Sequence, residues 1–135
     1  MNERIEAIID TLKQLQEERE NLLKIPLALP NTWIHEYNVK RYYPGSGTLH
    51  SFTYAKWQAS EAIFERNPKK FGHRGQGQFT KNKHIGRVGS TSGLGMDEAV
   101  FKAYQSLENR RRLDAIDKAI EEIEKALQKV MPLET

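Results

Sequence analysis

The chain has no cysteine. That excludes disulfides, thiolate-held zinc and a thiol nucleophile, and it fits a reducing compartment. No apolar run approaches the roughly 20 residues that a membrane-spanning helix needs. Residues 1–10 alternate charge with isoleucine and carry no apolar block of the kind a signal peptide has, so a soluble, cytoplasmic protein is expected. The third absence is local. Between Arg66 and Met96 there is no Asp or Glu, and all 18 acids of the 135 residues lie outside that window.

Positive charge and glycine fill the acid-free window. It holds Arg66, Lys69, Lys70, Arg74, Lys81, Lys83 and Arg87, with His73, His84, Phe71 and Phe79 among them and seven of the nine glycines. A basic, glycine-rich segment with scattered aromatics is the usual footprint of a polyanion-binding protein, most often one that binds nucleic acid. The charge is segregated along the chain although its net value is only +3. Residues 25–96 hold ten Lys/Arg against three acids, a net +7, and the two ends together are −4.

The two ends share a helical period. Ile5, Ile8, Leu12, Leu15 and Leu22 follow heptad-like spacing, widened by Ile9 and Leu23, and Pro26 and Pro30 end the segment. Leu113, Ile116, Ile120, Ile123, Leu127 and Val130 alternate three and four apart until Pro132. An earlier stripe, Val100, Tyr104 and Leu107, is out of phase with the later one, and the slip falls at Asn109–Arg112. Either a kink there or one helix showing two faces accounts for it. Neither stripe can be buried alone. The simplest cover is mutual, as an antiparallel stem, and a homodimer through the same stripes is the alternative.

The middle has the composition of strands. Residues 32–59 read as a β-hairpin. Trp33, Tyr37, Val39 and Tyr43 take one face of its first strand, Ala55, Trp57 and Ala59 one face of its second, and Pro44-Gly45-Ser46-Gly47 makes the turn. Trp33, Tyr37 and Trp57 are expected in the core, facing the helices. Residues 60–66 fit a helical turn or a strand equally well. Residues 83–90 read as a third short strand, and 69–82 are too polar and glycine-rich to pack.

The fold class is therefore α+β in one domain. Its N- and C-terminal helices, 2–24 and 97–131, pair as an antiparallel coiled-coil-like stem. They frame a small antiparallel sheet of two or three strands and a basic Gly-rich loop, 66–96.

Candidate binding residues follow from charge and stacking chemistry. Lys40, Arg41, Lys56, Lys69, Lys70, Arg74, Lys81, Lys83 and Arg87 are placed to meet phosphates. Tyr42, Tyr43, Phe71 and Phe79 are candidates to contact bases. Arg110-Arg111-Arg112 is read mainly as ion-paired, with a phosphate clamp as the alternative. The four histidines show no metal-ligand spacing, and the glycines at 86, 89 and 93 form neither a Walker motif nor a dinucleotide fingerprint. No catalytic residue, metal or cofactor is expected. The leading reading is a non-enzymatic protein that binds DNA or RNA. The runner-up is an adaptor or inhibitor gripping an acidic protein partner, and a small nuclease or strand-transfer enzyme is third. A membrane is not an expected partner.

Tyr54-Ala55-Lys56-Trp57 and His84-Ile85-Gly86-Arg87, set between charged helices, resemble motifs of small uncharacterised proteins of bacterial plasmids, phages and transposable elements. Those proteins tend to read Tyr-x-x-Trp and later Lys-x-Tyr-Ile-Gly. Here His84 stands in the tyrosine position. The resemblance covers roughly residues 52–127. It implies a mobile-element setting and DNA, and it transfers no catalytic residue.

Overall fold

The computed structural model describes residues 3–66 and 77–130. In chain order the elements are helix α1 (Glu3–Leu22), strands β1 (Thr32–Tyr43), β2 (Thr48–Ala59), β3 (Phe64–Glu65), β4 (Phe79–Thr80) and β5 (Asn82–Ser90), and helix α2 (Glu98–Val130). The α+β class stands. Within residues 60–66 only Phe64–Glu65 is regular, as the short strand β3, which pairs antiparallel with β4. Most of the segment 69–82 lies outside the described residues. The chain divides into two compact units, Met1–Ala28 with Ser106–Thr135, and Leu29–Gln105.

In the helical unit Leu22, Leu113 and Ile116 form a buried cluster, with Leu15, Leu27 and Ile120 packed against it. Pairing between the two helices runs antiparallel. Arg112 donates to Glu18 at 2.7 and 3.0 Å, and Arg19 donates to Asp117 at 2.6 Å. Farther along, Ala7, Ile8 and Thr11 of α1 and Ala119, Ile123 and Ala126 of α2 line an apolar groove of about 430 Å³. The residues after α1 are tied down by polar bonds. Ala28 N–H donates to the Ser106 carbonyl at 3.0 Å, Asn109 Nδ2 to the Pro26 carbonyl, and Arg110 Nε to the Ala28 carbonyl at 2.7 Å.

Helix α2 runs through Asn109–Arg112 without a break, so the phase slip is a change of face. Val100 and Ala103, in its first part, are buried within the sheet unit, whereas Leu113 and Ile116 are buried within the helical unit. Ion pairing accounts for the three arginines: Arg110 with Asp114, Arg111 with Glu108 and Arg112 with Glu18.

The sheet has three antiparallel strands in the order β1-β2-β5. Its hairpin turn is set locally. The Tyr43 carbonyl accepts N–H bonds from Ser46 and Gly47, and Gly47 takes φ +65°, a left-handed conformation that glycine adopts without strain. That turn puts Tyr43 opposite Thr48 and so fixes the whole register down to Thr32 opposite Ala59. The pairing of β2 with β5 is interrupted twice, between Thr53 and Tyr54 and between Ala55 and Lys56.

One face of the sheet receives the first turns of α2. Ala55 on that face has no exposed surface, and neither has Val100 of the helix. At Gly86, directly opposite Ala55, a Cβ would stand 2.9 Å from Asp97 Oδ2 and 3.4 Å from Val100 Cγ2. Only small residues allow this approach. Trp33 and Tyr37 are therefore not where the hydrophobic pattern put them. They lie on the opposite face, and Trp33 is 44% exposed. Trp57 does share the helix-side face with Ala55 and Ala59, and it is half-buried.

Asp97, just before α2, locks helix to strand. Its Oδ2 accepts from Arg87 N–H at 2.8 Å, and its Oδ1 accepts from the Arg87 guanidinium at 3.2 Å. In return Asp97 N–H donates to the Arg87 carbonyl at 2.9 Å. Tyr104, two turns on, donates its hydroxyl to Glu36 of β1. Partial burial, with the nearby carboxylate second, pushes the Tyr104 phenol up to about 12.

Candidate nucleic-acid interface

In an antiparallel sheet, directly opposed residues share a face, so the register sorts every side chain. On the face turned away from α2 the rows cross the strands in order. Trp33, Gln58 and Asn82 form the first row, and His35, Lys56 and His84 the second. Tyr37, Tyr54 and Arg87 follow, then Val39, Phe52 and Ser90. Beyond β5 the hairpin continues alone with Arg41 opposite His50 and Tyr43 opposite Thr48.

Seven rings run through these rows in one connected line. His35 stacks on Tyr37 with centroids 6.3 Å apart, and Tyr37 meets Tyr54 at 6.0 Å. Tyr54 reaches Phe52 at 6.2 Å and His84 at 5.9 Å. Tyr43 closes the far end against His50 at 5.2 Å and Phe52 at 6.5 Å. Two cations sit over this line: Lys56 Nζ is 5.1 Å from the Tyr37 centroid, and the Arg41 guanidinium is 5.8 Å from that of Phe52. The end of the face is held by a polar relay, in which Trp33 Nε1 donates to Gln58 at 3.0 Å and Gln58 Nε2 to Asn82 at 3.1 Å.

Among the described residues no carboxylate belongs to the strand positions of this face. The three long strands contain a single acid, Glu36, which lies on the helix side and is held by Tyr104. Arg41 and Lys56 make no ion pair among the described residues. Such a face concentrates positive potential and aromatic surface together, which suits a polyanion that also carries planar rings.

The residues expected from sequence to bind fall into five groups. Lys56, Arg41 and Tyr43 belong to the aromatic face. Lys40 and Tyr42 project from the other side of the hairpin tip, where Tyr42 pairs with Leu49 and both are about 60% exposed. Lys83 and Lys81 are exposed at β5 and just before it, and Phe79 of β4 is 53% exposed. Arg87 is engaged by Asp97 and by the Gly95 carbonyl, so its guanidinium holds the fold together. Lys69, Lys70, Phe71 and Arg74 lie outside the described residues.

Sequence reasoning missed the histidines as binding candidates and assigned Tyr37 to the core. The missing signal was register. With Tyr43 opposite Thr48, each odd position of β1 meets an even position of β2, and the rows can be written down. Among the described residues no group of three or more His, Asp or Glu side chains is arranged to hold a metal ion. None of their helices is long and apolar enough to cross a membrane. No protein-family model, curated protein or solved structure matches the chain.

Proposed function

We propose that this protein binds nucleic acid without catalysing a reaction, and that the aromatic, acid-free face of its sheet is the centre of the contact. The observation that carries this reading is the segregation of charge across the sheet. Arg41 and Lys56 stand beside a line of seven rings, and the only acid of the three long strands is on the reverse side. The hairpin tip, with Lys40, and the basic segment 66–96, with Lys69, Lys70, Arg74, Lys81 and Lys83, are proposed to supply further phosphate contacts. The mobile-element resemblance adds DNA to the ligands worth testing first.

The finer architecture is part of the proposal. The two helices act as a coiled-coil-like stem that carries the net negative charge and repels polyanions. The groove lined by Ile8 and Ile123 supports pairing of two stems in a homodimer, which sedimentation equilibrium tests directly.

Fluorescence anisotropy with labelled DNA and RNA at several salt concentrations tests the function. Binding is expected to weaken steeply as salt rises, because phosphate contacts release counterions. An affinity indifferent to salt, or no affinity for either polymer, would reject the reading. A second reading keeps one specific support. Strand β1 is twelve residues long and pairs on one side only, so an acidic partner protein could add a strand along it. Capture of such a partner that persists in excess oligonucleotide would favour that alternative.

A further inference from the structure

We infer that the ligand of the aromatic face is an unpaired nucleic-acid strand, with bases laid against Tyr37 and Tyr54 and a phosphate held by the row His35–Lys56–His84. This rests on the nucleic-acid reading and narrows it to the single-stranded class.

The spacing of the rings supports it. Tyr37 and Tyr54 share one row, with ring centroids 6.0 Å apart. Bases seated on them are therefore spread well beyond the roughly 3.4 Å stacking distance of a duplex strand. A duplex keeps its base faces covered by their neighbours and has none to offer a ring on a protein surface. An unpaired strand offers every base. Tyr37 and Tyr54 sit at the middle of the sheet, opposite one another, and both keep part of their surface exposed.

The adjacent row supplies the anion site. His35, Lys56 and His84 are directly opposed across β1, β2 and β5. Neighbouring strands are about 4.8 Å apart, so the three side chains span about 10 Å and can converge on one phosphate. The groups facing the two imidazoles are Tyr37 and Lys56 beside His35, and Tyr54 and Lys56 beside His84. Among the described residues none of these neighbours is a carboxylate that would compete with a phosphate.

The test is anisotropy of the full chain with three labelled probes of about 15 nucleotides: oligothymidine, a duplex, and an abasic phosphodiester. Oligothymidine is expected to bind at least about tenfold tighter than the other two. Replacing Tyr37 and Tyr54 together by Ala is expected to lower its affinity by about tenfold or more, with duplex binding changed by less than about twofold. Lys56→Gln is expected to flatten the salt dependence of oligothymidine binding by about 0.7 in the log–log slope, the share of one phosphate contact.

Duplex bound as tightly as oligothymidine would overturn the inference and move the contact to the hairpin tip, whose two strands suit a groove. Abasic probe bound as tightly as oligothymidine would overturn it as well. That comparison uses the unaltered protein, so it decides even if the tyrosine variant fails to fold. A parent that binds none of the probes would instead remove the broader nucleic-acid reading.

Discussion

Gly86 shows how tightly a single residue can be constrained by its partner element. A methyl group there would press on the Asp97 carboxylate, which cannot swing aside without giving up its bonds to Arg87. Gly86→Ala is expected to cost about 1–3 kcal/mol in urea unfolding, the usual price of overpacking. Gly45→Ala is the control. Its Cβ meets nothing within 4 Å, and the change is expected to stay within about 0.5 kcal/mol.

Tyr104 makes a second prediction at this scale. Its phenol is held at about 12 in the folded protein against an ordinary value of 10.0, so the folded state holds the proton more tightly. The stability it contributes is complete below about pH 10 and is lost as pH rises through the folded value. Tyr104→Phe is expected to cost about 1 kcal/mol at neutral pH, one hydrogen bond's worth. The variant should also lose less stability than the parent between about pH 10 and 12, as alkaline unfolding curves would report. Parallel curves for the two proteins would show that Glu36 does not hold the phenol.

At the scale of elements, the helices were legible because burial follows the period of the sequence. The stripe from Leu113 to Ile120 is where the helical core forms. The depth of burial was not legible. Ile116 is 2% exposed, whereas Ile120 and Ile123 are only partly buried and Ile8 is 41% exposed. Ile116→Ala is therefore expected to cost about 2–5 kcal/mol, and Ile123→Ala clearly less, in thermal or urea unfolding. Equal losses would mean that the groove beside Ile123 is filled, as it would be in a dimer of stems.

The strands tell the converse story. Alternation in residues 33–43 separated the two faces of β1 correctly, but hydrophobicity chose the wrong one as the core. Trp33 and Tyr37 are larger and more apolar than Glu36 and Asn38, so pattern alone puts them inside. The close approach of α2 reverses that choice, because Ala55 and Gly86 leave room for it.

For the molecule as a whole, charge distribution makes the governing prediction. The log of the binding constant is expected to fall with log salt by about 0.7–0.9 per phosphate contacted. Neutralising Lys69, Lys70, Arg74 and Lys81 together is expected to flatten that slope by about three units if each meets one phosphate. Neutralising Lys56 and Arg41 should weaken binding through the sheet face without removing the contribution of the segment. An unchanged slope in the four-site variant would confine the contact to the sheet, whereas an unchanged slope in the two-site variant would confine it to the segment.

The sequence by itself determined the helices, the three long strands, the turn and the charge-segregated middle. Each depends on local preference or on composition, and both can be read without knowing what lies opposite. It did not determine which sheet face is covered, which arginine is structural, or that His35, Lys56 and His84 share one row. Those depend on register and on the distance between packed elements. Residues 49 apart along the chain become neighbours only when two pairings, β1 with β2 and β2 with β5, are both in place. Arg87 illustrates the same limit: in the sequence it is one more cation of a basic segment, and only the approach of Asp97 makes it a clamp.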